Sequence, residues 1–159
     1  MRRLAPWLLV AAVIAVLDQT TKMIVQAHIR PGEVVHLAPF LSLVLVFNKG
    51  AAFSFLAGAS GWQREFFIAI AIGASALIVY LLRRHADERL FCAGLALILG
   101  GALGNLYDRV ALGHVVDFVL LHVYDYYWPA FNVADSAITV GASALIWDGV
   151  FGKRAKGEG

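Results

Sequence analysis

Four apolar runs of membrane-spanning length constrain this chain more than any other feature. A helix needs about 20 mostly apolar residues to cross a bilayer. The 159-residue sequence supplies four such runs: Leu4 to Val25, Phe66 to Leu82, Leu90 to Leu106, and Ala130 to Phe151. Composition agrees. Charged residues make up 15% of the chain and hydrophobic ones 60%, where an ordinary soluble domain is roughly 25% charged. Mean hydropathy is +0.74. This excludes a disordered chain, a nucleic-acid-binding arm and an ordinary soluble enzyme. The predicted fold is an all-α integral membrane protein of four transmembrane helices, with a small β-sheet in the first outward-facing loop. A single membrane domain is expected over residues 1–159.

The opening Met1-Arg2-Arg3 before an apolar run resembles a secretory signal peptide. However, no small-x-small site closes the run, and apolar character resumes at Met23-Ile24-Val25, so an uncleaved first span is expected. Arg2 and Arg3, then Arg83, Arg84 and Arg89, then Lys153, Arg154 and Lys156 all fall on one side of the spans. Lysine and arginine mark the cytoplasmic side. Both termini are therefore predicted to be cytoplasmic, with outer loops at residues 26–64 and 107–129. Val34 to Leu37 and Leu41 to Phe47 are β-branched and aromatic, as strands are; Pro31-Gly32 and Asn48-Lys49-Gly50 read as turns. Tyr124, Tyr126, Tyr127 and Trp128 suit a membrane–water interface. Gly100 and Gly104, one turn apart, allow close helix approach. They are not a dinucleotide loop, since no strand precedes them.

Ionisable groups within spans are costly and mark function by default. Asp18 and Lys22 stand four apart on one helix face, acid before base, a favourable pair. Asp135 lies about five residues into the fourth span with no base after it there, so it needs a partner from another segment or a proton. Asp117 sits in an apolar-flanked stretch of the second outer loop. If that stretch returns to the membrane surface, the two carboxylates meet and share a proton, the arrangement for acid–base peptide hydrolysis. The alternative is two separate helix-end carboxylates capping backbone donors. Asn48, Asn105 and Asn132 either cap turns and helix ends or grip an extended peptide. Arg109 has Asp108 beside it, which allows a plain ion pair, and Asp148 reads as an interfacial carboxylate close to Lys153.

Other patterns carry less. Gly58-Ala59-Ser60-Gly61 resembles the serine motif of rhomboid proteases, but the six spans of that family are absent. His114, Asp117 and His122 share a loop without a zinc-binding spacing. Cys92 reads as a packing residue. A small proton-conducting transporter with Asp135 as carrier is the competing class. Against it stand the lack of a repeat and the clustering of polar residues near one face.

Five segments in order resemble the lipoprotein signal peptidase family, also called signal peptidase II. They are Asp18-Gln19-Thr20-Thr21-Lys22, Asn48-Lys49-Gly50-Ala51-Ala52-Phe53-Ser54, the stretch from Gly100 to Arg109, Val115-Val116-Asp117-Phe118, and Phe131-Asn132-Val133-Ala134-Asp135-Ser136. The resemblance implies an aspartyl endopeptidase of the bacterial cytoplasmic (inner) membrane, with its active site at the outer face. It would remove the signal peptide from a diacylglyceryl-modified prolipoprotein by cutting just before the lipid-modified cysteine. Asp117 and Asp135 match the catalytic pair. Asp18, Lys22, Asn48, Gly50, Gly104, Asn105, Arg109, Asn132 and Ala134 match positions that bind substrate or support the site. The resemblance further implies no metal, no cofactor and sensitivity to globomycin. The expected partners are the prolipoprotein and membrane lipid, with no nucleic acid, and a monomer is expected. Lys22 is expected to be mainly structural, through Asp18.

Overall fold

The computed structural model describes residues 4–50 and 62–152. Ala51 to Ser54 of the second motif, the Ser60 pattern and Lys153 lie outside the described residues. Helix α1 runs Ala5–His28, α2 Gln63–Arg84, α3 Arg89–Ala111 and α4 Val133–Trp147, the last continued by a π-helical turn at Asp148–Gly152. Strands are β1 Val34–Ala38, β2 Leu41–Asn48, β3 Val115–Val123 and β4 Tyr126–Tyr127. All four helical stretches are long and apolar enough to cross a membrane. This is a multi-pass membrane protein.

Each of the first three helices extends past its apolar run by up to five residues at an end, because polar residues continue the backbone hydrogen bonding beyond the hydrophobic stretch. The fourth behaves differently. Helix α4 starts only at Val133, three residues into the apolar run, with Asn132 as its N-cap. The intervening residues pair with β3 instead: Phe131 exchanges backbone hydrogen bonds with Val119 at 3.0 and 2.8 Å.

Helix α3 is the most buried of the four and packs against each of the others. Its glycines explain how. A Cβ on Gly100 would stand 2.6 Å from the Ala11 carbonyl oxygen of α1, and one on Gly104 would stand 2.5 Å from Asp18 Oδ2. One on Gly101 would collide with the Ala134 carbonyl of α4. The Gly100/Gly104 spacing thus faces α1, while Gly101 admits α4. Leu82, Cys92, Leu95 and Leu99 form a core cluster with Ala11 and Ile78 nearer the other end of the spans.

The sheet is wider than the one expected from the first outer loop. Its order is β1-β2-β3-β4, all antiparallel, so half of its strands come from the second loop. Val46 faces Asp117 and Asn48 faces Val115 across the β2–β3 pairing. Side chains alternate along a strand, so Asn48 and Asp117 share a face as diagonal neighbours. Val25, Ile29, Leu45, Val116 and Phe118 pack where this sheet meets the end of α1.

Candidate functional site

Polar side chains converge where the later turns of α1 and α3, the first turn of α4 and the start of β3 meet. Asp135 is the third residue of α4. Asn132 and Asp135 cap that helix reciprocally: Asp135 N donates to Asn132 Oδ1 at 2.9 Å, and Asn132 N donates to Asp135 Oδ2 at 3.3 Å. Capping in this manner satisfies orphan helix donors and fixes both side chains. The amide of the same Asn132 turns to β3 and donates to Asp117 Oδ1 at 2.7 Å. It also lies 3.2 Å from both the Val116 carbonyl and Asn105 Oδ1. One fully buried asparagine therefore joins both carboxylates.

Each carboxylate has a second amide. Asn48 Nδ2 donates to Asp117 Oδ2 at 3.0 Å, and Asn105 Nδ2 donates to Asp135 Oδ1 at 2.8 Å. Burial raises the Asp117 carboxyl from its usual 3.8 to about 7, and the neighbouring Asp135 charge adds to this. The Asn48 and Asn132 donors and the Lys22 charge pull the other way. Burial wins because the carboxylate loses more hydration than two amides restore.

Beneath the pair lies a fully buried ion cluster. Lys22 Nζ is 2.8 Å from Asp18 Oδ2, 2.7 Å from Asp108 Oδ2 and 3.0 Å from Asn105 Oδ1. An ammonium has three donors, and these contacts use all of them. Asp18 Oδ1 accepts from Ala134 N at 2.9 Å, capping α4 from a neighbouring helix. Negative charge is favoured at a helix N-terminus.

Of the predicted site residues, the structure brings together Asp18, Lys22, Asn48, Gly104, Asn105, Asn132, Ala134, Asp117 and Asp135. Gly50 closes a turn by donating its N–H to Asn48 Oδ1 at 2.9 Å. Arg109 does not pair with Asp108. Its guanidinium reaches the carbonyls of Gly50 at 3.3 Å and Asn105 at 3.4 Å and stands 5.0 Å from the Phe67 ring centroid. Consecutive helix residues do not face each other, and Asp108 points to Lys22 instead. The His114 ring lies tilted against that of Phe47, and His122 Nε2 meets Ser42 Oγ at 2.9 Å, so His114, Asp117 and His122 have separate partners. No group of three His, Cys, Asp or Glu among the described residues is placed to hold a metal ion. Cys92 is buried and donates to the His85 carbonyl.

Three participants were not among the predicted site residues. Gln19 Nε2 donates to Asp108 Oδ1 at 2.8 Å and to the Gly104 carbonyl at 3.1 Å. Asp108 is 1% exposed and accepts from Val116 N at 3.1 Å as well as from Lys22 and Gln19. Arg64, at the start of α2, donates to the Arg109 and Val110 carbonyls at 2.8 and 3.0 Å, satisfying the end of α3. The sequence signal for Asp108 is its polarity at the end of an apolar span, which an ion pair with its neighbour Arg109 would equally explain.

Four apolar helices and a small sheet enclosing two amide-bridged carboxylates define a membrane protein with the makings of a hydrolytic site. The chain belongs to the signal peptidase (SPase) II family, a family of proteases, which it matches over residues 10–151. It is 56% identical over 143 residues to the lipoprotein signal peptidase of Janthinobacterium sp. (strain Marseille), covering 90% of this chain and 87% of that protein. It is 54% identical over 145 residues to that of Paraburkholderia phymatum, covering 91% and 87%. Its fold is similar to a bacterial membrane enzyme solved by the in meso method at 2.3 Å resolution, with a TM-score of 0.87, 32% identity and coverage of 98% of this chain and 93% of that one.

Proposed function

We propose that this chain is an aspartyl endopeptidase that cuts diacylglyceryl-modified prolipoproteins just before the lipid-modified cysteine, with Asp117 and Asp135 as its catalytic pair. The observation that carries this is Asn132, whose amide holds Asp117 while its carbonyl oxygen caps Asp135. Two carboxylates held to one side chain in a buried setting share a proton. In this reading the pair's proton starts on Asp117, whose carboxyl burial pushes up to about 7. Asp135 then takes a proton from water as the water oxygen bonds to the scissile carbonyl carbon. Asp117 passes its proton to the carbonyl oxygen, giving a gem-diol. Asp135 returns its proton to the departing amide nitrogen as the C–N bond breaks, and Asp117 recovers a proton from a diol hydroxyl. The protons balance over one turnover.

Placement of the site supports the substrate class. The pair lies at one end of the spans beside the sheet, where acyl chains remain among the helices while an extended peptide meets polar groups. Positive charge at the opposite end supports cytoplasmic termini in the bacterial inner membrane, with the site outward. The test is cleavage of a diacylglyceryl-modified prolipoprotein by purified protein in detergent, with and without a chelator, beside Asp117→Asn and Asp135→Asn. Cleavage that survives chelation and is lost in both folded variants supports the proposal. Cleavage persisting in either variant overturns it.

A further inference from the structure

We propose that Asp108 is a positioning residue for the Asp117 carboxylate, acting through the amide of Val116. The inference rests on the reading of Asp117 and Asp135 as the catalytic pair. Those two residues come from a strand and a helix that share no backbone pairing at the carboxylates, so something must set their separation. The structure answers with a repeated device. The residue before Asp135, Ala134, donates its N–H to Asp18. The residue before Asp117, Val116, donates its N–H to Asp108. Both receiving carboxylates, from α1 and α3, are closed on the same Lys22 ammonium.

Asp108 has little freedom within this arrangement. Lys22 and Gln19 of α1 donate to it at 2.7 and 2.8 Å, and Val116 of β3 donates at 3.1 Å. A bond from a backbone N–H to a carboxylate is charge-assisted and directional. Lys22 has spent its three donors on Asp18, Asp108 and Asn105 and keeps none for substrate. Releasing Val116 removes a backbone bond that ties this end of β3 to α3, and leaves the β2 pairing and the side-chain contacts of Asp117 to place it. A shift of about 1 Å in a catalytic group costs on the order of a hundredfold in rate.

The test uses the full chain in detergent with Asp108→Ala and Asp108→Asn. It measures kcat and KM separately on a diacylglyceryl-modified prolipoprotein, and backbone hydrogen exchange at Val116 and Ala134. In Asp108→Ala, exchange at Val116 should rise at least about tenfold while that at Ala134 stays within about twofold. The kcat per folded molecule should fall on the order of a hundredfold with KM within about threefold. Asp108→Asn keeps an acceptor oxygen without the charge and should fall between. A merely structural residue would lower the folded fraction and leave kcat per folded molecule intact. Wild-type kcat in folded Asp108→Ala overturns the proposal, as does a lost kcat with unchanged Val116 exchange. If Asp108→Ala does not fold, wild-type kcat in Asp108→Asn overturns it. A wild type that cleaves nothing defeats the catalytic-pair reading instead, and Val116 exchange still reports whether Asp108 holds the strand.

Discussion

Asn132 donates to Asp117 across 2.7 Å while its own side-chain oxygen accepts from the backbone of Asp135. The N-cap of a membrane helix is thereby the link between two carboxylates that approach from different elements. Removing it should separate stability from chemistry. Asn132→Ala loses a helix cap, at about 1 kcal/mol, together with the Asp117 contact. The expected result is a folded protein with a thermal midpoint lowered by a few degrees and kcat reduced at least about a hundredfold. Asn132→Ser, which retains a capping oxygen, should recover stability but not rate. Calorimetry and cleavage kinetics on the same preparations check both.

Asp117 makes both stability and activity fall as pH rises toward and through about 7. Its folded-state value of about 7 lies above the usual carboxylate range. The folded chain therefore binds a proton that the unfolded chain has released. The contribution to stability is present below about pH 4 and is lost progressively as pH rises to about 7, after which it changes no further. Asp117→Asn removes this dependence. The variant's midpoint relative to the wild type should climb between about pH 4 and pH 7 and then level off. Cleavage by the wild type should decline as pH rises through about 7, because the proton donor is lost. A rate that only increases with pH across that range would contradict the assignment of Asp117 as the acid.

Lys22 balances two buried carboxylates, so its loss should cost more than that of a surface pair. Breaking a buried ion pair by removing one partner destabilises by about 3–5 kcal/mol. Lys22→Met is expected to reach that range in reversible unfolding, and Lys22→Met combined with Asp18→Asn should be less damaged than the single variant. Inactivity in Lys22→Met would reflect a displaced pair, since no Lys22 donor is left over for substrate.

The α3 glycines make a graded series. Gly101→Ala presses a methyl group into the Ala134 backbone, which cannot turn aside, and should destabilise by about 1–3 kcal/mol. It should also reduce activity by moving the first turn of α4. Gly104→Ala meets the Asp18 carboxylate and disturbs the ion cluster. Gly73→Ala on α2 has nothing within 4 Å to meet, and should be neutral or stabilise slightly through helix propensity. Unfolding measurements on the three variants order them.

Much of this architecture is legible without coordinates because it depends on local properties. The spans follow from runs of apolar side chains. Asp18 with Lys22 is a contact within one helix, visible as a spacing of four. Asp135 stood out because a carboxylate inside an apolar run must be compensated. The pairing of the stretch from Val115 to Val123 is not legible in this way. The apolar character of the stretch is plain, but its partner lies some 70 positions earlier in β2, and strand pairing over that distance leaves no local periodicity.

Four spans, and the set of side chains too polar to be left alone in a membrane, follow from local residue character alone. Tertiary structure decided which of these partner which. Asp108 and Arg109 are neighbours in the chain, yet helix geometry turns one to Lys22 and the other to the Gly50 carbonyl. Asp117 and Asp135 share Asn132 only because β3 returns along β2 and α4 approaches α3 at Gly101. Apolar burial depends on each residue's own character and its near neighbours. The meeting of buried polar groups depends on directional bonds between distant segments, and those directions exist only once the chain is folded.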